Sequence, residues 1–276
     1  RLADTWEYDI DNDWWTQRAD MPGTVRNAAT GFPVGNKGYI TTGYNPDQKY
    51  LADTWEYDPE TNTWRQMDDF KGGARYYALG FGIDNYGYVG TGYNDNYLKD
   101  FYRFDPTAAA GSQWTIVNGF GGQKRQGATA FVINGKAYVC GGQNNNSDVS
   151  DFWCFDPSAA TPWTQLRDIA NTSDDDYDDD YTSIVRSYGV SFVIDGKAYL
   201  TLGSTAGGSY YSNYWIYDPE TDLWEGDDLT AFEGSTRIHA VCFSTGTRGI
   251  IATGGSGSSS YFDDTWELKP YEYEEE

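Results

Sequence analysis

The chain has 276 residues, 17% of them aromatic, and a formal net charge of −23 at pH 7. This charge argues against a nucleic-acid partner, because phosphates would be repelled, and the aromatic content argues against a disordered chain. No apolar run approaches the roughly 20 residues of a membrane helix, and the start at Arg1 rather than Met indicates processing or trimming.

The first segment, "RLADTWEYDIDNDWW", contains a short aromatic strand, a polar turn and two tryptophans. Nearly the same phrase returns as "YLADTWEYDPETNTW" at residues 50–64 and as "FDDTWELKPYEYEEE" at residues 262–276. Self-similarity over such distances indicates a repeat architecture.

Five arginines mark the frame of the repeat. Each is followed by a small residue three positions later, a phenylalanine six positions later, and a short β-type run that begins twelve positions later. The spacing between successive arginines is 49 to 51 residues, except for one spacing of 61. The arginines are Arg26, Arg75, Arg125, Arg186 and Arg237.

Each arginine-led frame is predicted to form four antiparallel strands, which we name a to d. The arginine starts strand a, the run ending in glycine is strand b, an aromatic segment such as "DTWEYD" is strand c, and a lone tryptophan marks strand d. The segments are short, rich in aromatic and β-branched residues and bounded by turn residues, and none shows a helical period. "INGK" and "IDGK" place a strong hairpin signal between strands a and b.

Four strands at a period near 50 residues are the signature of a β-propeller blade. Over essentially its whole length the chain resembles the kelch-repeat family, which includes the central propeller of galactose oxidase. The resemblance rests on the strand-c aromatic, the strand-d tryptophan and the glycine that ends strand b. The family's double glycine is kept at Gly141-Gly142 and Gly254-Gly255, and its first member is replaced elsewhere by Thr42, Thr91 and Leu202. The resemblance implies an all-β, kelch-type β-propeller of four-stranded blades with strand a innermost.

Strands a and b occur five times, strand c six times and strand d five times. The last frame stops after strand c, because "PYEYEEE" contains no tryptophan, so its fourth strand must come from the N-terminal side. If Trp15 supplied that strand, the first and the last strand c would compete for one position. The favoured interpretation is therefore six blades, with the N-terminal strands of the first blade missing from this chain. A closed ring of five blades is the alternative. We expect one propeller domain over residues 1–270 and an acidic C-terminal tail over residues 271–276.

The long arginine spacing contains "NTSDDDYDDDY", residues 171–181, in the loop from strand d to the next strand a. Aspartates are calcium ligands, but a run of like charges is usually a solvated insertion, so calcium binding by Asp174 to Asp180 is left open. "DIDNDW" also resembles a calcium loop, yet its alignment with "DPETNTW" indicates an ordinary c–d turn.

The chain contains a single histidine, His239, and three cysteines. The copper-radical oxidases that resemble this fold use two histidines, so the resemblance does not extend to that activity. A zinc site of the His or Cys type is disfavoured for the same reason, and no nucleotide-binding or nucleophile motif is present, so we predict no cofactor and no metal. Cys140 and Cys154 either pair across neighbouring strands or are small buried thiols, and the second interpretation is favoured.

The five arginines are the best candidates for a functional site, because the family's topology would place them around the mouth of a central channel. Residues two positions later would point to the same side of strand a: Ala28, Tyr77, Gly127, Tyr188 and His239. One interpretation is structural, with each arginine paired to an acid of a neighbouring blade. The other is contact with a small anionic ligand. The predicted ligand-binding residues are Arg26, Arg75, Arg125, Arg186, Arg237, Tyr77, Tyr188 and His239.

The b–c loops differ between frames and are rich in tyrosine, asparagine and serine, which suits sugar faces and protein surfaces. We predict a non-enzymatic binding module that recognises a glycan or a protein. Its acidic, tyrosine-rich composition and its resemblance to exported bacterial kelch proteins predict a location outside the cytoplasm. The alternative is an enzyme acting on an acidic sugar, similar to the kelch-fold sialic acid epimerases, which would need an acid–base pair beside the arginines.

Overall fold

The computed structural model describes residues 2–226, 230–257 and 259–270. The chain divides into two compact units, Arg1–Phe120 and Gly121–Glu276. The predicted acidic tail, residues 271–276, lies outside the described residues, and the single domain over residues 1–270 stays a prediction. We number the arginine-led sheets as blades 1 to 5 in chain order.

The first unit contains an N-terminal hairpin and two four-stranded sheets. The hairpin pairs Thr5–Asp9 with Trp14–Arg18. Strands a to d of blade 1 are Thr30–Val34, Lys37–Thr41, Thr54–Asp58 and Thr63–Gln66. Those of blade 2 are Leu79–Ile83, Tyr86–Gly90, Phe101–Phe104 and Trp114–Val117. In the b–c loop of blade 1, Tyr44–Asn45 pairs with Lys49–Tyr50.

The second unit contains blades 3 to 5. Strands a to d of blade 3 are Thr129–Ile133, Lys136–Cys140, Trp153–Phe155 and Trp163–Gln165. Those of blade 4 are Val190–Ile194, Lys197–Thr201, Trp215–Asp218 and Leu223–Glu225. Blade 5 has strands a to c at Val241–Ser244, Gly249–Ala252 and Thr265–Leu268. Two b–c loops carry short ladders, Gln143–Asn144 with Ser147–Asp148 and Gly255–Ser256 with Ser260–Tyr261.

Hydrogen bonding connects the strands in the order a-b-c-d in blades 1 to 4, and in the order a-b-c in the described part of blade 5. The N-terminal hairpin, which corresponds to strands c and d, is a separate two-stranded sheet. The predicted all-β class with four-stranded blades is confirmed. Strand a was expected to start at the arginine, but in all five sheets it begins four residues later. Five arginine-led sheets fit the five-blade alternative, whereas the six-blade interpretation needs strands outside this sequence and stays a prediction.

The a–b turns have the geometry that their sequences predict. Asn134 and Gly135 have φ of 51° and 73°, and Asp195 and Gly196 have φ of 48° and 77°. Positive φ at both central residues is typical of a type I′ turn, whose twist matches that of the flanking strands. The hairpins predicted from "INGK" and "IDGK" are therefore confirmed.

Aromatic residues fill the space between neighbouring blades of each unit. The ring centroids of Phe32 in blade 1 and Phe104 in blade 2 lie 5.8 Å apart, and those of Phe131 in blade 3 and Tyr217 in blade 4 lie 5.7 Å apart. Four of the five repeated phenylalanines are buried, whereas Phe243 in blade 5 is 38% exposed. The repeat thus encodes the packing between blades.

Each c–d turn is organised by the aspartate at the end of strand c. In the hairpin, Oδ1 of Asp9 accepts the backbone N–H groups of Asp11 and Asn12, both at 3.1 Å. In blade 1, Oδ1 of Asp58 accepts the N–H of Glu60 at 3.0 Å in the same way. This is an Asx turn, so the interpretation of "DIDNDW" as an ordinary c–d turn is confirmed.

Because an aromatic residue recurs in every strand c, we expect it to be covered by packing between blades, and five of the six are at least partly covered. Trp55, Tyr102, Trp153, Trp215 and Trp266 are buried or half-buried. The prediction is wrong for Trp6, which is 49% exposed. The hairpin that carries Trp6 has no hydrogen-bonded strands a and b among the described residues, so this indole lacks the neighbours that cover the other five.

The aspartate-rich insertion folds onto blade 4. It contains a short 3₁₀ helix, Asp176–Asp178, and its Asp178 is buried. The Asp178 carboxylate accepts the N–H and the hydroxyl of Ser173, both at 2.9 Å. The Tyr181 hydroxyl accepts the backbone N–H of Trp224 in strand d at 2.7 Å. One aspartate of the run therefore stabilises the loop itself.

Trp215→Ala should lower the free energy of unfolding by about 3–5 kcal/mol, because it removes a buried side chain and leaves a cavity. Trp6→Ala, at the matching position of the exposed hairpin, should lower it by less than about 1 kcal/mol. Urea unfolding followed by fluorescence measures both. Equal losses for the two variants would show that the strand-c position does not control blade packing.

Candidate functional site

All five arginines of the repeat lie inside their blades, with exposed fractions of 6% for Arg26 and 1% or less for the other four. Arg75 is representative. Its Nε donates to the carbonyl of Gly73 at 3.2 Å, and its Nη1 donates to the carbonyl of Thr91 at 2.9 Å. The same two contacts, to carbonyls two positions before and sixteen positions after the arginine, recur in every blade.

Four of the arginines also bind the carboxylate of an aspartate that lies one or two residues before strand c. The expectation of an acid from a neighbouring blade is wrong, because each partner belongs to the arginine's own blade. Arg75 contacts Asp100 through two nitrogens, at 2.6 and 2.9 Å. Hydrogen bonding from Arg237 holds the pKa of Asp264 at about 2. The four carboxylate partners are Asp53, Asp100, Asp151 and Asp264.

Blade 4 is the exception, because Asn213 stands where the other blades have aspartate. Arg186 donates to Oδ1 of Asn213 at 3.1 Å and to the carbonyls of Ser183 and Leu202 at 2.6 and 3.1 Å. The Tyr211 ring lies 4.7 Å from its guanidinium carbon. Burial lowers the pKa of Arg186 to about 10, so the guanidinium stays charged at physiological pH. The three acceptors named above are all neutral oxygens.

The residues two positions after each arginine do not continue an extended strand, so the expected same-side alternation is wrong. Their φ values lie between 51° and 64°, in the left-handed region. The bend brings their backbones together: the N–H of Tyr77 donates to the carbonyl of Ala28 at 2.9 Å, and that of Tyr188 to Gly127 at 2.8 Å. These residues are Ala28, Tyr77, Gly127, Tyr188 and His239.

The residue before the glycine of strand b is also left-handed in every blade, with φ between 57° and 64°. In blade 5 this residue is Thr253, so Gly254-Gly255 is not the in-frame double glycine. A Cβ at Gly141 would lie 2.3 Å from the carbonyl oxygen of Arg186, which explains why blade 3 keeps glycine. The left-handed bend turns each carbonyl toward its arginine.

Six tyrosines of the first unit form one continuous surface, which we call the tyrosine cluster. The rings of Tyr50 and Tyr76 are stacked, with centroids 5.6 Å apart and planes 6° apart. Tyr76 also contacts Tyr44 at 5.6 Å and Tyr93 at 5.7 Å. All six are half-buried. The cluster consists of Tyr44, Tyr50, Tyr76, Tyr77, Tyr93 and Tyr97.

Tyr76 is the central residue of the cluster, and the sequence analysis missed it. It directly follows Arg75, and its backbone pairs with Tyr93, the residue after the glycine of strand b. Corresponding bridges join Asn27 to Tyr44 in blade 1 and Gln126 to Gln143 in blade 3. In these blades the residue after the arginine therefore lies beside the start of the b–c loop. Because the spacing between the two positions is the same in each repeat, it could have identified Tyr76.

A cleft of 210 Å³ opens at the tyrosine cluster. It is lined by Asn27, Ala28, Tyr44, Tyr76 and Tyr77. Burial raises the pKa of Tyr76 and of Tyr77, so both hydroxyls stay protonated at physiological pH. Of the predicted site residues, the first unit thus brings Tyr77 to a cavity, while Arg26 and Arg75 are buried within their blades.

In the second unit the predicted residues Tyr188 and His239 lie together. Their ring centroids are 4.5 Å apart, and the Tyr188 hydroxyl accepts the side-chain amides of Gln126 and Gln143, both at 2.7 Å. The buried Oε1 of Gln126 has no hydrogen-bond partner within the described ranges. His239 is exposed by its accessible surface, yet the protein packed around it displaces enough water to lower the pKa of its imidazole to about 4.

The described residues contain no group of three or more His, Cys, Asp or Glu placed to hold a metal ion. Cys140, Cys154 and Cys242 are free thiols, and Cys140 is buried, so the disulfide alternative is wrong. Over the same described ranges, no helix has the length and apolar character needed to cross a membrane.

Comparison with known proteins supports the fold. A model of the Kelch motif matches residues 33–71 and 124–166, and 266 chains of solved structures match the chain. One is the structure of YjhT, with 15% sequence identity and a TM-score of 0.77 over 95% of this chain and 87% of that chain. No curated protein matched. The kelch-type all-β propeller implied by the sequence resemblance is confirmed.

Reciprocal substitutions should reveal the charge balance of the arginines. Asp151→Asn should lower the free energy of unfolding by about 3 kcal/mol, because a buried guanidinium loses its compensating charge. Asn213→Asp should raise it by about 1 kcal/mol, because Arg186 gains a charged partner. Urea titrations of both variants measure these changes. A destabilising Asn213→Asp would show that blade 4 is built for a neutral partner.

The single histidine gives an unambiguous NMR signal, and its titration midpoint should lie well below the ordinary pKa of 6.5. The folded state then binds the proton less readily than the unfolded chain, so stability is lost as the pH falls from about 6.5 toward 4. His239→Asn, which tolerates the left-handed backbone, should remove this pH dependence. A midpoint at or above 6.5 would contradict the described environment.

Proposed function

We propose, on the premise that the chain has the fold of a kelch-repeat β-propeller, that it is a non-enzymatic binding module for a glycan or a protein. The observation that carries the proposal is the tyrosine cluster with its 210 Å³ cleft in the first unit. Tyrosine presents an apolar ring and a hydroxyl at low cost in side-chain entropy, which is why it is frequent in recognition surfaces. The b–c loops of blades 1 and 2, together with the residues that directly follow Arg26 and Arg75, would form the contact surface.

The size of the cleft supports recognition of a single group. Sites that enclose a drug-sized ligand measure about 300–1,000 Å³, so 210 Å³ suits one sugar ring or one protein side chain. Tyr44, Tyr76 and Tyr77 would contact this group, and Tyr50, Tyr93 and Tyr97 would form the rim. Selectivity would come from the b–c loops, whose sequences differ in every blade, while the arginine contacts that support them stay constant.

The arginines support this proposal as positioning residues. Arg26 and Arg75 direct their donors to oxygens of their own blades and hold the ends of strand b beside the cluster. Direct contact of the arginines with a small anion stays a prediction, which the acidic-sugar arms of the experiment below address. We also propose a location outside the cytoplasm, supported by the acidic, tyrosine-rich composition and by the resemblance to exported bacterial kelch proteins.

The alternative, an enzyme acting on an acidic sugar, is supported by the contact between Tyr188 and His239 in the second unit. An imidazole with a pKa of about 4 is neutral at pH 7 but a weak general base, so we rank this function second. Exchange between the anomers of sialic acid, followed by NMR, separates the two functions. An enzyme would accelerate the exchange and lose that ability in His239→Asn.

A glycan array and a displayed peptide library, both probed with the purified protein, test the proposed function. Ligands from either source should lose at least about tenfold in affinity with Tyr76→Leu, which removes the central ring. Tyr261→Leu is the matched control, because Tyr261 is an 81% exposed tyrosine in the b–c loop of blade 5. Melting temperatures check that both variants fold.

The array should contain neutral, uronic-acid and sialylated glycans, and selected acidic ligands should be retested on Arg75→Ala and Arg186→Ala. If no ligand depends on the tyrosine cluster, the proposed function is wrong. If an acidic sugar loses affinity with the arginine variants while their melting temperatures are unchanged, the arginines contact the ligand directly.

A further inference from the structure

We infer that the cleft of the tyrosine cluster binds a cation, specifically the ammonium group of a lysine presented by a partner protein. This inference rests on the proposed function, because it uses the same cleft and names the class of group that enters it. Of the two ligand classes proposed above, a glycan or a protein, it selects a protein and identifies lysine as the side chain that enters the cleft. The reasons are the orientation of the rings, the charge at the rim and the charge of the whole molecule.

Three tyrosine rings line the cleft at different inclinations. The planes of Tyr44 and Tyr76 are inclined by 55°, and those of Tyr76 and Tyr77 by 47° with centroids 4.7 Å apart. The face of an aromatic ring carries the negative part of its quadrupole. Inclined rings around one cavity attract a cation, as in the aromatic cages that hold alkylammonium groups.

A carboxylate lies at the rim of the cluster. The exposed Asp95 accepts a hydrogen bond from the Tyr50 hydroxyl at 2.7 Å, and this bond raises the pKa of Tyr50 to about 12. Burial, followed by neighbouring tyrosines and Asp95, raises the pKa of Tyr76. The carboxylate of Asp95 therefore makes the electrostatic potential more negative at Tyr76, the ring that stacks on Tyr50 and lines the cleft.

The positive groups nearby do not reverse this field. Arg26 is paired with Asp53, and Arg75 is paired with Asp100, so each buried guanidinium is compensated within its own blade. The b–c loops of blades 1 and 2 each contain one exposed lysine and one exposed aspartate, so their exposed residues add no net positive charge: Lys49 with Asp47, and Lys99 with Asp95. Among the residues that the structure describes, no lysine or arginine lines the cleft.

The whole molecule favours a basic protein as the source of the cation. A net charge of −23 attracts basic partners and raises their association rate, and it repels acidic ones. Half-buried tyrosines are typical of protein interfaces. Lysine suits a 210 Å³ cleft because its ammonium is compact and its apolar stem can pack along the rings.

The test uses three small probes of equal length: Nα-acetyl-lysine methylamide, its trimethylated form and Nα-acetyl-norleucine methylamide, which has the apolar stem without the charge. Calorimetry should give at least about fivefold tighter binding for both cationic probes than for norleucine, the ratio expected from cation–π attraction. This difference should shrink as salt is raised from a low to a moderate concentration.

Asp95→Asn should weaken the lysine probe by about threefold or more, because it removes the carboxylate and keeps a residue that tolerates φ of 71°. Asp13→Asn is the matched control: Asp13 has φ of 55° and accepts the Tyr8 hydroxyl at 2.7 Å in the N-terminal hairpin. It should leave binding unchanged. Tyr44→Phe should retain most of the affinity, and Tyr44→Leu should lose it.

Equal binding of the lysine and norleucine probes, absence of binding by both cationic probes, or an Asp95→Asn variant that binds like the wild type would overturn the inference. A cluster-dependent neutral glycan together with no lysine binding would leave the proposed function standing and this inference wrong. Preference for phosphatidylcholine vesicles over a lysine-rich peptide would assign the cation to a lipid headgroup and likewise overturn the lysine proposal.

Discussion

The fold of each blade depends on one buried guanidinium. In blade 2, for example, Arg75 lies four residues before strand a and contacts the carbonyl of Thr91, just after strand b, and the carboxylate of Asp100, just before strand c. Three segments that are distant in sequence are thereby joined at one point. Burying a guanidinium is costly unless its donors are satisfied, so the loops around it must adopt the conformation that supplies the oxygens.

That requirement accounts for backbone conformations that the side chains alone would disfavour. Thr42, Thr91 and Leu202 have φ between 57° and 63°, a region that costs an ordinary residue about 1–2 kcal/mol. The bend directs each carbonyl at the arginine sixteen positions earlier, and a charge-assisted hydrogen bond offsets the strain. Because this framework is fixed, the b–c loops can vary in sequence. In the first unit two of these loops form the tyrosine cluster together with Tyr76 and Tyr77, which follow Arg75.

The repeat predicted the four strands of blades 1 to 4, their order and their turns, because these follow from local periodicity and from residues such as Asn134 and Gly135. It did not predict the bend after each arginine, since left-handed backbone at Tyr77 or His239 is imposed by tertiary hydrogen bonds and not by residue type. The arginine position was recognised correctly, but its partner was assigned to the wrong blade. Tyr76 does not stand out in the sequence, because the position after the arginine has no constant residue type: it is Asn27, Tyr76, Gln126, Ser187 or Ile238.

In this account the five arginines stabilise the framework of the blades, and the tyrosine cluster performs recognition. Hydrogen exchange of arginine Nε–H groups, measured by NMR, tests this division most directly. The account predicts strong protection for Arg26, Arg75, Arg125, Arg186 and Arg237, whose exposed fractions are 6% or less, and rapid exchange for Arg65, whose side chain is 63% exposed. Exchange of the five at the rate of Arg65 would contradict the account, because it would place their guanidinium groups in contact with solvent and within reach of a ligand.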